Sequence, residues 1–273
     1  MKLSLVISTS DAAFDALAFK GDLERGMEMA REIGYNAVEI AVRDPSVVDA
    51  AKINELKERM NLEISAIGTG QAFLAEGLSL AAKDEEKRRG AVERLKKHVD
   101  LASEIGGFVI IGLIRGTVGK REREEAVKLL IEGLREVGIY ASGKGVSLVI
   151  EPLNRYESDY LNTADEVAEI IEKVGLENVG LLLDTFHMNI EERSFEETIE
   201  KHASILKHFH VADSNRWAPG YGHIDFPSIF KALKGVGYDG YVSVECLPLP
   251  GGPREAAVKA HEYLRKILGE LVV

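Results

Sequence analysis

Two kinds of segment alternate along the whole chain: eight short runs rich in β-branched residues are separated by eight segments with helical spacing. Strands that alternate with helices pair in parallel, because each helix returns the chain to the same edge of the sheet. Eight such units are the number in a closed (β/α)8 TIM barrel, an α/β fold. The predicted strands are Leu3–Ile7, Ala37–Val42, Glu63–Ile67, Phe108–Leu113, Val146–Glu151, Val179–Asp184, Lys207–Ala212 and Tyr241–Cys246. The predicted helices are Leu23–Ile33, Ala51–Met60, Glu85–Ile105, Glu122–Ser142, Ala164–Val174, Phe195–Ala203, Ser228–Val236 and Arg254–Leu268.

The main alternative is a doubly wound open sheet, which usually has fewer strands and binds nucleotides at a glycine-rich turn between a strand and a helix. No G-x-G-x-x-G motif follows a predicted strand, and Gly68-Thr69-Gly70 is only a partial match. The 273 residues contain no linker, charge block or low-complexity stretch. We therefore predict a single (β/α)8 barrel domain that spans residues 1–273.

Local signals agree with the predicted helices. Thr163-x-x-Glu166 and Ser194-x-x-Glu197 are typical of capping boxes, in which side chains satisfy the exposed amides of the first helical turn. The loops at 8–20 and 68–83, which follow the first and third predicted strands, are long enough to shape or cover a binding site, or to pack against another subunit.

Composition excludes several classes of partner. The formal net charge of −11 argues against nucleic acid, because neutralisation of phosphates by a basic face supplies most of that affinity. The longest apolar stretch, at 108–114, is far shorter than the ~20 residues that span a bilayer, and the N-terminal apolar run is too short for a signal peptide. Cys246 is the only cysteine, so neither an intrachain disulfide nor a thiolate metal cluster can form. We expect a cytoplasmic protein that binds neither nucleic acid nor membranes.

Polar residues stand at the ends of the last four predicted strands, where a barrel of this type builds its active site. Glu151, Asp184, His210 and Glu245 are separated by 33, 26 and 35 residues, each about one βα unit. Because side chains alternate along a strand, an inward Glu151 also turns Val149 inward. The spacing therefore predicts that these four side chains converge at one rim of the barrel.

Any single acid at a strand end could be a helix cap or a salt-bridge partner. Three converging carboxylates, however, repel one another strongly unless a cation lies between them. Three carboxylates and one imidazole favour Mn²⁺, Mg²⁺ or Co²⁺ over a thiolate-bound Zn²⁺. We predict one divalent metal ion, with Mn²⁺ the first choice, that can polarise a carbonyl as a Lewis acid.

The motifs around these four positions resemble the ketose 3-epimerase family, which includes D-tagatose and D-psicose 3-epimerases and lies in the xylose-isomerase-like barrel superfamily. The resemblance covers most of the chain and is densest from the fifth predicted strand onward. The motifs are Glu151-Pro-Leu-Asn-Arg-Tyr-Glu157, Leu183-Asp-Thr-Phe-His187, His210-Val-Ala-Asp-Ser-Asn-Arg216 and Val244-Glu245.

This resemblance implies roles for individual residues. Glu151, Asp184, His210 and Glu245 match positions that bind one Mn²⁺-type ion in the family. Glu151 and Glu245 also match its acid–base pair. Three further positions match residues that contact the substrate near its reacting carbons: Glu157, His187 and Arg216. Members of the family commonly assemble as dimers or tetramers, so we expect a homo-oligomer.

The implied chemistry is consistent with two opposed carboxylates. Inversion of a carbon beside a ketone requires removal of a weakly acidic proton and its return from the opposite face. Glu151 and Glu245, from the fifth and eighth strands, could flank a keto sugar or keto sugar acid in this way. An aldose–ketose or hydroxypyruvate isomerase would use similar residues but return the proton to the adjacent carbon.

The segments SNRWAPGYGH and VECLPLPGG look closest to epimerases that act on keto sugar acids, which suggests 5-keto-L-gluconate as substrate and D-tagaturonate as product. Arg115, after the fourth predicted strand, could hold the substrate carboxylate in a bidentate fork, or could form a surface ion pair.

Other functions stay open at this level. An abasic-site endonuclease shares the barrel but would need further metal ligands and a basic face. A protein that only binds sugar acids would keep the site but has no need of two opposed glutamates. We expect His208 to be a buried, hydrogen-bonded histidine one layer below the site, and Glu39 to be an inward acid with its hydrogen bonds satisfied.

Overall fold

The computed structural model describes residues 1–9, 19–120, 122–249 and 251–271, and its strands form one sheet in which every pairing is parallel. The strands are β1 (Lys2–Thr9), β2 (Phe19–Gly21), β3 (Ala37–Ala41), β4 (Glu63–Gly68), β5 (Phe108–Ile111), β6 (Leu148–Ile150), β7 (Val179–Asp184), β8 (Leu206–Val211) and β9 (Tyr241–Val244). Strand β1 pairs with β3 on one side and with β9 on the other, so eight strands close into a barrel. The predicted (β/α)8 barrel is confirmed.

Strand β2 is an addition that the sequence did not predict. It pairs with the end of β1, where Ile7 lies opposite Phe19. Three residues are too few to show the two-residue periodicity on which strand prediction depends. The remainder of the predicted loop at 8–20 lies largely in 10–18, outside the described residues.

Helices pack around the barrel between its strands. They are α1 (Leu23–Ile33), α2 (Ala50–Met60), α3 (Gln71–Glu76), α4 (Glu85–Ile105), α5 (Arg123–Ser142), α6 (Ala164–Val174), α7 (Thr185–Glu191), α8 (Phe195–His202), α9 (Phe226–Gly235) and α10 (Pro253–Glu270). All eight predicted helices are present, with ends that shift by no more than two residues. Two short helices were not predicted: α3 begins three residues after the end of β4, and α7 follows β7 directly.

The barrel interior is filled in two chemically different ways. An apolar cluster contains Ala66, Ile110, Val149 and Leu182, so Val149 does point inward as the alternation requires. A second group is polar: Ser4 and Ser65 share a 2.7 Å hydrogen bond, and Ser243 lies 3.4 Å from Ser65. The interior is therefore a packed core, and the room for a ligand lies at the rim of the barrel.

None of the helices in the described part of the chain is long and apolar enough to cross a membrane.

Replacement of the N-cap of α6 tests the energetic value of the capping box. Thr163 accepts a hydrogen bond from the amide of Glu166 at 3.3 Å, and the Glu166 carboxylate accepts one from the amide of Thr163 at 3.2 Å. Thr163→Ala should lower the free energy of unfolding by about 1 kcal/mol, since one first-turn amide loses its partner. Urea titration followed by circular dichroism measures the loss. Ser103→Ala, at an exposed helical serine of α4, is the matched control and should change stability by less than about 0.5 kcal/mol. Equal losses in the two variants would contradict the assignment.

Candidate metal centre

Four potential metal ligands meet at the carboxyl ends of β6 to β9. Asp184 and His210 are direct partners between β7 and β8, and His210 lies opposite Ser243 of β9, two residues before Glu245. Glu151 follows the last residue of β6. One ligand atom from each of these four side chains lies within 4.8 Å of the others. The closed parallel barrel therefore brings together the four residues that the strand ends suggested.

The distances from the Nδ1 atom of His210 describe the arrangement of this group. This atom lies at nearly equal distances from one oxygen of each carboxylate: 3.7 Å from Glu151 Oε1, 3.8 Å from Asp184 Oδ2 and 3.7 Å from Glu245 Oε2. Neighbouring ligands of an octahedral ion, each at about 2.1 Å from it, stand roughly 3.0 Å apart, so a bound ion would need to draw these atoms together by less than about 1 Å.

The hydrogen bonds of this group are incomplete in a way that favours a bound cation. His210 Nδ1 and Glu151 Oε1 are buried and have no hydrogen-bond partner among the described residues. Buried polar atoms of this kind are costly unless another group binds them. Three carboxylate oxygens and an imidazole nitrogen suit a divalent ion of the Mn²⁺ or Mg²⁺ type. The residues present therefore fit a divalent metal ion.

The pKa shifts of the ligand carboxylates also favour a bound cation. Burial, together with the nearby Glu245 and Asp184, raises the pKa of Glu151 well above its usual range, although His210 opposes this. Burial and Glu245 likewise raise the pKa of Asp184 to about 6. Both shifts measure the cost of placing like charges together in a poorly solvated site. A divalent cation at the centre would offset that cost.

Glu39 of β3 determines which nitrogen of His210 faces the centre. Its Oε2 atom lies 3.0 Å from His210 Nε2 and 2.8 Å from His208 Nε2. Donation of an Nε2 proton to this carboxylate would leave the lone pair of Nδ1 facing the space among the three ligand carboxylates. His208 and Glu39 are buried and hydrogen-bonded, as predicted, and His208 lies outside the four-ligand group.

The three expected substrate-contact residues surround the same centre. Arg216 donates a hydrogen bond to the Glu157 carboxylate, and its Nη2 atom lies 3.9 Å from Glu245 Oε2. His187 Nε2 lies 3.9 Å from Glu151 Oε1. These side chains line one cavity together with the ligand residues Glu151, His210 and Glu245. The cavity wall also includes Gln71 and Leu74 from the predicted loop at 68–83, which therefore does shape the site.

Asn154 is a residue of the site that sequence reasoning missed. Its side-chain amide donates to His187 Nδ1 at 2.8 Å and to Glu157 Oε1 at 3.0 Å. Because Nδ1 accepts, the ring proton of His187 is on Nε2, toward Glu151. Burial lowers the pKa of His187 well below its ordinary value, which keeps this imidazole neutral and a hydrogen-bond donor. The Glu151-to-Glu157 motif contained Asn154, but no pattern indicated its two partners.

Asp213 is the second residue that was missed, and it organises the loop that carries Arg216. Its buried carboxylate accepts three backbone N–H groups at 2.8 to 3.2 Å, those of Ser214, Gly220 and Ile224. The turn places Arg216 at φ 62°, a left-handed conformation that is rare for a residue with a side chain. The guanidinium then stacks over the ring of Phe186, 4.7 Å from its centroid.

The structure gives no support to the expected role of Arg115 as a substrate contact. Its side chain is fully buried, which also rules out a surface ion pair. The guanidinium donates to the carbonyl oxygens of Glu151, Tyr160 and Leu161, and Arg115 is not among the described residues that line the cavity. Arg115 is the last residue of a 3-10 turn at Leu113–Arg115, and this turn directs its side chain beneath the loop that follows β6 instead of into the cavity.

Comparison with known proteins places this geometry in context. The family described as the xylose isomerase-like TIM barrel matches residues 27–267. The L-ribulose 3-epimerase of Methylomonas sp. is 32% identical over 84% of this chain and 82% of its own length. The D-psicose 3-epimerase of Ruminiclostridium cellulolyticum is 31% identical over 88% of this chain and 84% of its own length. Among solved structures, the D-allulose 3-epimerase of Methylomonas sp. in complex with D-allulose superposes with a TM-score of 0.84 at 25% identity, covering 97% of this chain and 96% of that one.

Substitution of Glu39 tests its effect on His210. Glu39→Gln keeps the shape but removes the carboxylate that accepts from both histidines. We expect the affinity for Mn²⁺ to fall by about 10- to 100-fold, because the imidazole ligand loses its orientation and part of its basicity. Competition against a fluorescent chelator measures the affinity, and circular dichroism confirms the fold. Unchanged affinity would show that Glu39 does not act on the ligand.

Substitution of Gly112, the residue that follows β5, tests whether Glu151 needs the free space beside this glycine. A Cβ atom at this position would lie 2.9 Å from Glu151 Oε2, so Gly112→Ala should displace that carboxylate. We expect Mn²⁺ affinity to fall about tenfold, with little change in thermal unfolding. Gly235→Ala is the matched control, since an added Cβ there meets nothing within 4 Å. A Gly112→Ala variant that binds Mn²⁺ like the control would contradict the packing argument.

Proposed function

Because the chain belongs to the xylose isomerase-like TIM barrel family, we propose that it is a divalent-metal-dependent epimerase that inverts the carbon beside the carbonyl of a keto sugar or keto sugar acid. Its relatives are isomerases that act on carbohydrates, and this chain is an enzyme of that class. The observation that carries the proposal is the position of His210 Nδ1 at almost equal distances from three buried or partly buried carboxylates, two of which line the cavity.

Glu151 and Glu245 are the proposed acid–base pair. Held by Glu151, Asp184, His210 and Glu245, a divalent ion would supply a Lewis acid for the substrate carbonyl. One glutamate removes the proton from the neighbouring carbon, and the other returns a proton to the opposite face of that carbon. The configuration of the starting sugar decides which glutamate acts first. Inversion thus needs two carboxylates that reach one carbon from different strands, as β6 and β9 provide.

The remaining cavity residues have complementary proposed roles. His187, neutral and with its proton on Nε2, is a donor for a substrate oxygen near Glu151. The Glu157–Arg216 pair offers an acceptor and donors for substrate hydroxyl groups. Arg216 Nη2 also lies 3.9 Å from Glu245 Oε2, so the two side chains form an ion pair at the cavity wall. These groups orient the reacting carbon rather than exchange protons with it.

Among substrates, we propose 5-keto-L-gluconate, with D-tagaturonate as product, as the keto acid to test first. Its support is the sequence of residues 214–223 and 244–252; buried Arg115 gives no support. Among the described residues that line the cavity, Arg216 is the one arginine or lysine. Neutral ketoses, which several relatives act on according to their names, are the second class. Steady-state assays with Mn²⁺ on both classes decide between them, and a strong preference for neutral ketoses would overturn the keto acid.

We propose Mn²⁺ as the physiological ion, a cytoplasmic location, a dimer or tetramer, and one domain over residues 1–273. Product analysis separates the epimerase from an aldose–ketose isomerase, since only the isomerase moves the carbonyl.

Deuterium exchange tests the two-glutamate assignment. In D₂O, Glu245→Gln should leave Glu151 able to exchange the proton of one epimer without inverting it, and Glu151→Gln should do the same for the other epimer. Epimerisation should fall by about 10²- to 10⁴-fold in both variants, the usual contribution of an acid–base group. NMR follows exchange and inversion together at saturating Mn²⁺, and metal content is measured in each sample. Wild-type turnover in either variant would refute the assignment.

A further inference from the structure

Arg115 is a fully buried arginine whose hydrogen bonds are made to the main chain. Its side chain is wholly inaccessible to solvent, and burial lowers the pKa of its guanidinium from the ordinary value. Its hydrogen bonds go to backbone carbonyls rather than to a carboxylate. A buried charge is expensive unless it is well hydrogen-bonded, and an apolar side chain of similar size often serves stability as well. The position therefore calls for a role beyond packing.

The carbonyls that Arg115 binds belong to the two ends of one loop. The first is that of Glu151, at the end of β6. The other two are those of Tyr160 and Leu161, each 3.1 Å from Nη2. The segment between these ends, residues 152–159, carries Asn154 and Glu157. One guanidinium thus closes the loop that supplies a metal ligand and the partners of His187 and Arg216.

Tyr160 makes this closure reciprocal. Its hydroxyl donates to the carbonyl of Arg115 at 2.8 Å, and its ring lies 5.6 Å from the guanidinium carbon. The next residue, Leu161, has φ 54°, a left-handed conformation that costs free energy unless its surroundings hold it. The bonds to the Tyr160 and Leu161 carbonyls supply such restraint.

We propose that Arg115 is a positioning residue of the active site, which fixes the main chain of Glu151 and the closed form of the 151–161 loop. The inference rests on the proposed function for its catalytic consequence, but its effect on metal binding stands alone. Through Glu151, Arg115 sets the geometry of the metal centre. Through the closed loop, it holds Glu157 against Arg216 and Asn154 against His187.

The planar guanidinium is necessary for this role. It presents several N–H donors in a fixed fork, so that separate nitrogens reach carbonyls on opposite sides. The ammonium of lysine keeps the charge but is a single point with three donors. Arg115→Lys should therefore retain part of the function, whereas Arg115→Met should lose it.

Mn²⁺ affinity and steady-state kinetics of three variants test the inference. For Arg115→Met we expect Mn²⁺ affinity to fall at least tenfold and kcat by about 100-fold at saturating Mn²⁺, with a smaller change in KM. Arg115→Lys should fall between Met and wild type. Tyr160→Phe, which removes only the reciprocal hydroxyl bond, should lower kcat a few-fold and keeps the test available if Arg115→Met does not fold.

Arg135→Met is the matched control. Arg135 of α5 also donates to two backbone carbonyls, those of Lys173 and Val174, but on the outer helices of the barrel. The Arg135→Met variant should match the wild type in Mn²⁺ affinity and in kcat, measured at a temperature where all variants are folded. Wild-type affinity and kcat in both Arg115→Lys and Tyr160→Phe would overturn the inference, as would losses in Arg135→Met equal to those at Arg115. Failure of the wild type to epimerise any keto sugar would instead refute the proposed function, while the Mn²⁺ comparison would still test Arg115.

Discussion

Repulsion among three carboxylates around one imidazole nitrogen is the constraint on which the site depends. Glu151, Asp184 and Glu245 could spread into solvent on an open surface, but the barrel rim holds them around His210 Nδ1 in a buried setting. The neighbouring structure acts on this cluster from each side. Glu39 orients the imidazole from below, Arg216 lies beside one carboxylate, and Arg115 binds the main chain of another. The charge that these groups leave uncompensated is what a divalent ion would neutralise.

Much of this arrangement could be predicted from sequence because it depends on a simple geometric rule. In a parallel barrel the carboxyl ends of all strands share one rim, so acids and a histidine at four successive strand ends must come together. The long helices and most strands could also be predicted, because their apolar residues recur with the period of the element. Periodicity could not show β2, α3 or α7, which contain three, six and seven residues, because segments of that length complete too few periods.

Side-chain direction in loops was beyond the reach of sequence. Arg115 follows β5 closely, and its position in the sequence therefore predicted a place at the rim. The 3-10 turn that ends at Arg115 instead sends the guanidinium under the loop after β6. Asn154 and Asp213 were missed for a related reason. Their partners are a histidine 33 residues away and three amides of an irregular loop, and neither relation leaves a periodic trace in the sequence.

Direct observation of the ion tests the central claim. Crystals grown with Mn²⁺ should give one strong anomalous difference peak among Glu151, Asp184, His210 and Glu245, with His210 bound through Nδ1 and ligand distances of about 2.1–2.2 Å. The Nε2 atom of His210 should still be hydrogen-bonded to Glu39. A peak at another place, or four side chains turned away from one another with no ion between them, would contradict the account.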